Sequence, residues 1–155
     1  MVTISAKDLD DTPASHRSAL KWFAAQAGSV VPWQPVLSDG TRLFSTPKGI
    51  YKPAGSLYAL SVRQTLAGEY PDRDPIHRDN GTWTYAYHQE GSDPIDVKRY
   101  FTNLGLLACM EHGVPIGVAR QVKSKPGTSY EILGVAMVTQ WSDGFFYLCG
   151  LSHVR

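Results

Sequence analysis

The residues 82–91, Thr-Trp-Thr-Tyr-Ala-Tyr-His-Gln-Glu-Gly, hold the densest chemistry in this 155-residue chain. Residues two apart on a strand share a face, so Trp83, Tyr85 and Tyr87 line up as a row of rings. Such a row can fill a core, or it can offer a flat π surface to a planar ligand such as a nucleobase. The turn Asp79-Asn80-Gly81 opens this strand and Gly91 closes it. Upstream, Gly68 to Asp79 forms a long charged loop containing Asp72 and Asp74. A long loop of this kind tends to carry function. Its carboxylates can accept a hydrogen bond from a cytosine-like amino group, or simply cap surface turns. Further upstream, residues 48–55 set Lys48, Tyr51 and Lys52 among two glycines. Exposed, that loop can approach a phosphate backbone closely; it also reads as an ordinary solvated loop.

Other chemistries fit the residues less well. His77-Arg78-Asp79 matches a kinase catalytic loop in letters only, since the chain has no glycine-rich loop and is short for that fold. Pro71-Asp72 followed by Asp96-Val97-Lys98 matches the loose carboxylate–lysine pattern of magnesium-dependent nucleases, in which two carboxylates hold the ion and lysine assists the attacking water. That pattern is a few letters with free spacing, and Asp96-Val97-Lys98 reads as the opening of a helix. Cys109 and Cys149 lie in apolar runs without metal spacing, and the five histidines are scattered. No serine sits in a nucleophile elbow. The expectation is therefore no catalytic group, no metal and no cofactor.

The elements that must position these residues follow from composition and periodicity. Charged residues make up 19% and hydrophobic residues 43%, an ordinary globular composition, and the net charge of +1 argues against a large non-specific electrostatic footprint on nucleic acid. No signal peptide or apolar run of membrane length occurs, so a cytoplasmic location without membrane contact is expected. Thr12-Pro13 reads as the start of a helix near 13–27, with Leu20, Phe23, Ala24 and Ala27 on its apolar stripe and Gly28 as its stop. A second helix is predicted near 97–111, with Val97, Tyr100, Phe101, Leu104, Leu107 and Ala108 as its stripe. Strands are predicted at Val30-Val31, Leu43-Phe44, 57–65, 82–91, 115–122, 129–138 and 145–151, the last two joined by a hairpin at Asp143-Gly144. Lys123 to Gly127 is a basic turn. The fold class expected is α+β, a curled mixed sheet or open barrel flanked by helices.

In chain order the segments resemble an SRA (SET- and RING-associated) domain. Gly49-Ile50-Tyr51 is similar to that family's Gly-Ile-His loop, and residues 68–72 to its Gly-Gly-Tyr-x-Asp region. Residues 87–91 resemble its Tyr-x-Gly-x-Gly segment, with Gln89 in place of a glycine. Residues 102–106 are similar to its Thr-Asn-x-Ala-Leu helix, and residues 114–122 to its Pro-Val-Arg-Val-x-Arg strand. Residues 130–135 resemble its Tyr-Asp-Gly-Leu-Tyr strand without the aspartate-glycine pair. The resemblance covers about 45–151 and is closest to bacterial versions fused to HNH nucleases of modification-dependent (type IV) restriction. It implies residues 1–44 as a helix and lead-in packed on a domain of residues 45–155, the whole being one structural domain. It also implies duplex DNA with 5-methylcytosine or 5-hydroxymethylcytosine as partner, with the modified base flipped out and stacked between two rings. By that resemblance Tyr87 is the strand-side ring, with Tyr85 as its rival, and Tyr70 the loop-side ring. Asp72, or next Asp74, reads the pairing edge, although Arg73 stands three beyond Tyr70. Tyr51 and Lys52 lie where the family inserts a loop near the emptied base position, and Lys48, Lys98 and Arg99 join them as DNA contacts. A nuclease domain beyond this chain's end is expected, the chain itself having no HNH motif. The alternatives kept open are a standalone metal-dependent nuclease using Asp72, Asp96 and Lys98, and an RNA- or nucleotide-binding module on a related PUA-like barrel.

Overall fold

The computed structural model describes residues 3–4, 12–66 and 74–153. Helix α1 (Ala14–Ala25) buries His16, Ala19, Leu20 and Phe23, the i, i+3, i+4, i+7 spacing of one apolar stripe. The cap position falls one residue later than the Thr12 that the sequence predicts. Pro13 takes the cap position with no side-chain cap bond, while the Thr12 carbonyl accepts from Arg17 Nη2 at 3.3 Å. At the other end Gly28 adopts a φ of +87° and its N–H reaches the Ile132 carbonyl at 2.7 Å, passing the chain into the sheet.

An open, mixed, eight-stranded sheet follows, as the alternating segments predict. Its order is β3 (Ile50–Tyr51), β4 (Ser61–Gln64), β7 (Ile116–Lys123), β8 (Ser129–Ser142), β9 (Phe145–Gly150), β6 (Trp83–His88) and β5 (Ile76–His77), with β2 (Val30–Pro32) also paired to β8. β4 and β7 are parallel and the other neighbours in this sheet antiparallel. β1 (Thr3–Ile4) and β10 (Ser152–His153) form a separate parallel pair. The β8–β9 hairpin turns through Asp143 at φ 49° and Gly144 at φ 90°, the doubly positive geometry that a two-residue turn between twisted strands requires.

Two strand predictions need correction. Of the expected strand 57–65, only Ser61–Gln64 joins the sheet. Ser56 Oγ bonds both the N–H and the carbonyl of Tyr58, which turns the chain, and Ala59 N–H donates to the Gly105 carbonyl of a helix instead of a neighbouring strand. Leu43 and Phe44 are fully buried, but they do not form a strand. The segment before them folds on itself through the Leu37–Thr41 turn and the Val36–Arg42 bridge.

Successive strand residues point to opposite faces, so the sheet separates two cores. On one face, Trp83, Tyr85, Tyr87, Ile116, Val118, Phe146 and Leu148 pack against Leu106 and Cys109 of helix α2 (Phe101–His112). Burial in this core pushes the Cys109 thiol up to about 12. On the other face, α1 lays Leu20 and Phe23 on Ala119, Tyr130, Ile132 and Val135, with Leu43 and Phe44 beside them. Among the described residues no helix is long and apolar enough to cross a membrane.

Candidate nucleic-acid interface

The aromatic row of β6 is real, and it is packed. Trp83, Tyr85 and Tyr87 retain 3%, 2% and 5% of their exposure, and the rings of Tyr85 and Tyr87 lie 6.3 Å apart in an edge-to-face arrangement. As placed, Trp83 and Tyr85 are core side chains, and Tyr85 offers no face on which a base could stack. Tyr87 stands nearer the border of the core. Its hydroxyl donates to the Arg63 carbonyl at 3.2 Å and lies directly under Gly49, where an added Cβ would overlap it. Gly49 is thus the residue that lets the 45–55 loop close over the Tyr87 ring.

The next turn of chain is held by the helix that follows. Asn103, fully buried, accepts from Glu90 N–H at 2.9 Å and donates to the Glu90 carbonyl at 2.8 Å. Thr102 donates its hydroxyl to the Glu90 carboxylate, which also holds Lys48 Nζ at 2.7 Å. Gln89 is buried too. It donates to the Asp93 carbonyl at 2.9 Å and accepts from Trp141 Nε1 at 2.8 Å. Gly91, at φ +91°, leaves room for the Tyr100 ring, which would lie 2.6 Å from an added Cβ. The Thr-Asn pair of the helix motif therefore acts as a backbone clamp on the strand motif.

Around this corner lies a basic rim with an exposed ring at its centre. Phe101 is 55% exposed, with Lys48 Nζ 5.9 Å and Lys52 Nζ 6.0 Å from its ring centroid. Lys98 and Arg99 end the 3₁₀ helix (Pro94–Arg99) just before it, both exposed. The sequence places Phe101 and Leu104 on the buried stripe of one helix from 97 to 111; the structure corrects this. The chain breaks at extended Tyr100 (φ −110°, ψ 130°), and the break resets the helical phase. Thr102, Asn103, Leu106 and Cys109 turn inward, leaving Phe101 and Leu104 outside. Tyr51, expected as a DNA contact, is half-buried; it alternates with buried Ile50 and packs in part against the α1-side core.

Of the loop candidates, Tyr70 and Asp72 lie outside the described residues, as does Arg73. The described feet of that loop both rest on β7: Leu66 N–H donates to Gln121 Oε1 at 3.0 Å, and Asp74, 87% exposed, sits 3.6 Å from Arg120. Asp96 of the nuclease pattern is paired with Arg99 at 3.9 Å on the 3₁₀ helix.

One constellation escaped the sequence. A cleft of about 380 Å³ opens on the α1 side of the sheet, lined by Trp33, Thr46, Arg63, Gln121, Ser124, Lys125, Thr128 and Tyr130. Arg63 is only 9% exposed. Its Nε donates to the Ser45 carbonyl at 3.2 Å, Nη1 to the Tyr130 hydroxyl at 2.9 Å and Nη2 to the Thr46 carbonyl at 2.7 Å. Its guanidinium lies 4.7 Å from the centre of the Trp33 ring. An arginine next to Val62 in the predicted strand 57–65 was the available signal, and Trp33 lies in a run of turn formers.

No protein-family model and no curated protein matches the sequence. Solved structures do resemble it. The crystal structure of KRYPTONITE in complex with mCHH DNA, an H3(1-15) peptide and SAH is 23% identical over 70% of this chain and 27% of that one, with a TM-score of 0.41. The SUVH5 SRA complex with hemi-methylated CG DNA is 21% identical over 72% of this chain and 75% of that one, at 0.42. The SUVH5 SRA complex with methylated CHH DNA is 20% identical over 70% and 74%, at 0.40.

Proposed function

We propose that this chain is a DNA-binding module that reads modified cytosine, 5-methylcytosine or 5-hydroxymethylcytosine, in duplex DNA by turning the base out of the helix. The observation that carries the reading is a meeting of segments. Gly49 closes over the Tyr87 hydroxyl, and Lys48 beside it joins Thr102 and Asn103 on Glu90. The loop, strand and helix segments that resemble one family in sequence thus share one corner of the fold.

In this reading Tyr87 and Tyr70 clamp the base and Asp72, or Asp74, accepts from its pairing edge. Lys48, Lys52, Lys98 and Arg99 hold phosphates along the rim. Tyr87 is preferred over Tyr85 because its hydroxyl reaches the loop that borders the sheet. Flipping costs a few kcal/mol of stacking and pairing, and each base–ring stack returns about 1–3 kcal/mol. Tyr87 is packed over most of its surface, so a base reaches it only after covering groups shift, and that cost adds to flipping. A methyl group contributes only about 0.8 kcal/mol of burial; a polar contact to a hydroxymethyl group discriminates more strongly. The finer reading is a specificity module for a modification-dependent endonuclease whose HNH nuclease lies outside this sequence. It rests on the motif resemblance alone.

The test is binding to duplexes of one sequence carrying cytosine, 5-methylcytosine or 5-hydroxymethylcytosine, with an RNA duplex as competitor. A modified duplex should bind best, and Tyr70→Ala or Asp72→Ala should remove roughly tenfold of that preference while leaving unmodified duplex little changed. Equal affinity for all three DNAs, or tighter binding of RNA, overturns the reading.

A further inference from the structure

The Trp33–Arg63–Lys125 cleft is separate from the corner just described. Val62 faces the core that holds Tyr87, so Arg63, next on β4, projects through the opposite face of the sheet. Three features of the cleft point to its ligand. The first is charge. Arg63 is more than nine-tenths buried, and its three bonds above all go to neutral oxygens. Among the described residues no carboxylate pairs with it. A buried cation without a counterion is costly, and an anion in the cleft offsets that cost. Lys125 adds a second cation at the wall, and among the described residues no aspartate or glutamate lines the space. The second is polarity. Thr46, Ser124, Thr128, Tyr130 and Gln121 line the same space. Thr46 and Gln121 already donate to Gln34 and to the Lys123 carbonyl, while hydroxyls such as those of Ser124 and Thr128 are donors that phosphate oxygens accept from. The third is shape and an aromatic wall. Half-buried Trp33 borders the cleft, and about 380 Å³ falls in the size range of small-molecule pockets.

We propose that this cleft binds a nucleotide unit, with its base against Trp33 and its phosphate between Arg63, Lys125 and the Ser124 and Thr128 hydroxyls. The basic turn between β7 and β8 then has a purpose. The unit is either a free nucleotide or an unpaired nucleotide of a DNA strand; both present the same ring and phosphate.

The experiment titrates the intact chain with dCMP, deoxycytidine and inorganic phosphate by calorimetry, and with blunt and single-strand-overhang DNA duplexes. dCMP should bind more tightly than either fragment. Trp33→Leu should weaken dCMP about tenfold and Lys125→Ala about fivefold, while circular dichroism shows both variants folded. An overhang duplex that binds more tightly than the blunt one and is displaced by dCMP identifies the strand as the source. dCMP binding with no overhang preference identifies the free nucleotide. No dCMP binding, unchanged binding in both variants, or inorganic phosphate binding as tightly as dCMP overturns the proposal. The preference for modified duplex is measured in parallel on Lys125→Ala. Its survival beside lost dCMP binding separates the two sites, so failure of one reading leaves the other standing or falling on its own data.

Discussion

The two faces of the sheet use aromatic rings in opposite ways. On the α2 face, Trp83, Tyr85 and Tyr87 come from one regular strand and are packed to a few per cent exposure. What faces solvent there is a rim of lysines about Phe101. On the α1 face, Trp33 comes from a turn-rich segment and stays half-buried, its ring centroid 5.1 Å from Tyr130 and 5.8 Å from Phe44 with the Arg63 guanidinium against it. Regular alternation builds core, because every second residue of a strand inside a two-faced sheet is covered. Irregular chain can leave a ring at a cleft: Trp33 is half-buried, whereas Phe44 of the same turn-rich segment is fully buried.

The largest effect that tests this contrast is Tyr85→Ala. If the β6 rings are core, it costs about 3–5 kcal/mol in denaturant unfolding, whereas Trp33→Ala costs far less. Comparable losses at both sites would erase the distinction between the faces. Next is Asn103→Ala, which leaves both backbone groups of Glu90 without their partner and should cost about 1–3 kcal/mol. Faster hydrogen exchange confined to 89–91 would locate the loss in the clamp, and uniform exchange would deny it.

A pH effect is expected on the α1 face. His16 is 1% exposed, and burial lowers its pKa from the ordinary 6.5. With the folded value below the unfolded one, the unfolded chain binds more protons in the window just under 6.5. Stability is therefore full above that pH and falls on acidification through it. His16→Gln should remove that component of the melting-temperature profile, and an unchanged profile would assign it elsewhere. The smallest stability effect is expected at Phe101→Ser, within about 0.5 kcal/mol because the ring is exposed. The same variant should weaken binding to every duplex if the rim contacts DNA, and unchanged affinity would free Phe101 from that role.

Legibility in the sequence followed the same divide. The β6, β7, β8 and β9 segments, the Asp143-Gly144 turn and the stripe of α1 were readable because each has a local period or a turn chemistry that acts within a few residues. The position of Gly49 over Tyr87 and the grip of Asn103 on Glu90 were visible only as motif letters, since their contacts join distant parts of the chain. The phase of α2 was misread because nothing in Arg99-Tyr100-Phe101 announces an extended residue between two helices. The cleft was invisible. Its members come from the 33–46 segment, β4, β7, β8 and the turn between those last two, and no single window contains them.

The sheet's two borders carry one more consequence. β3 and β5 are each two residues long, so among the described residues each outermost strand offers only a short ladder. A foreign strand meets a short ladder on either outermost strand, which disfavours edge-to-edge aggregation and, equally, capture of a peptide as an added strand there. Recognition through side chains and loops is thereby favoured over recognition through an added strand.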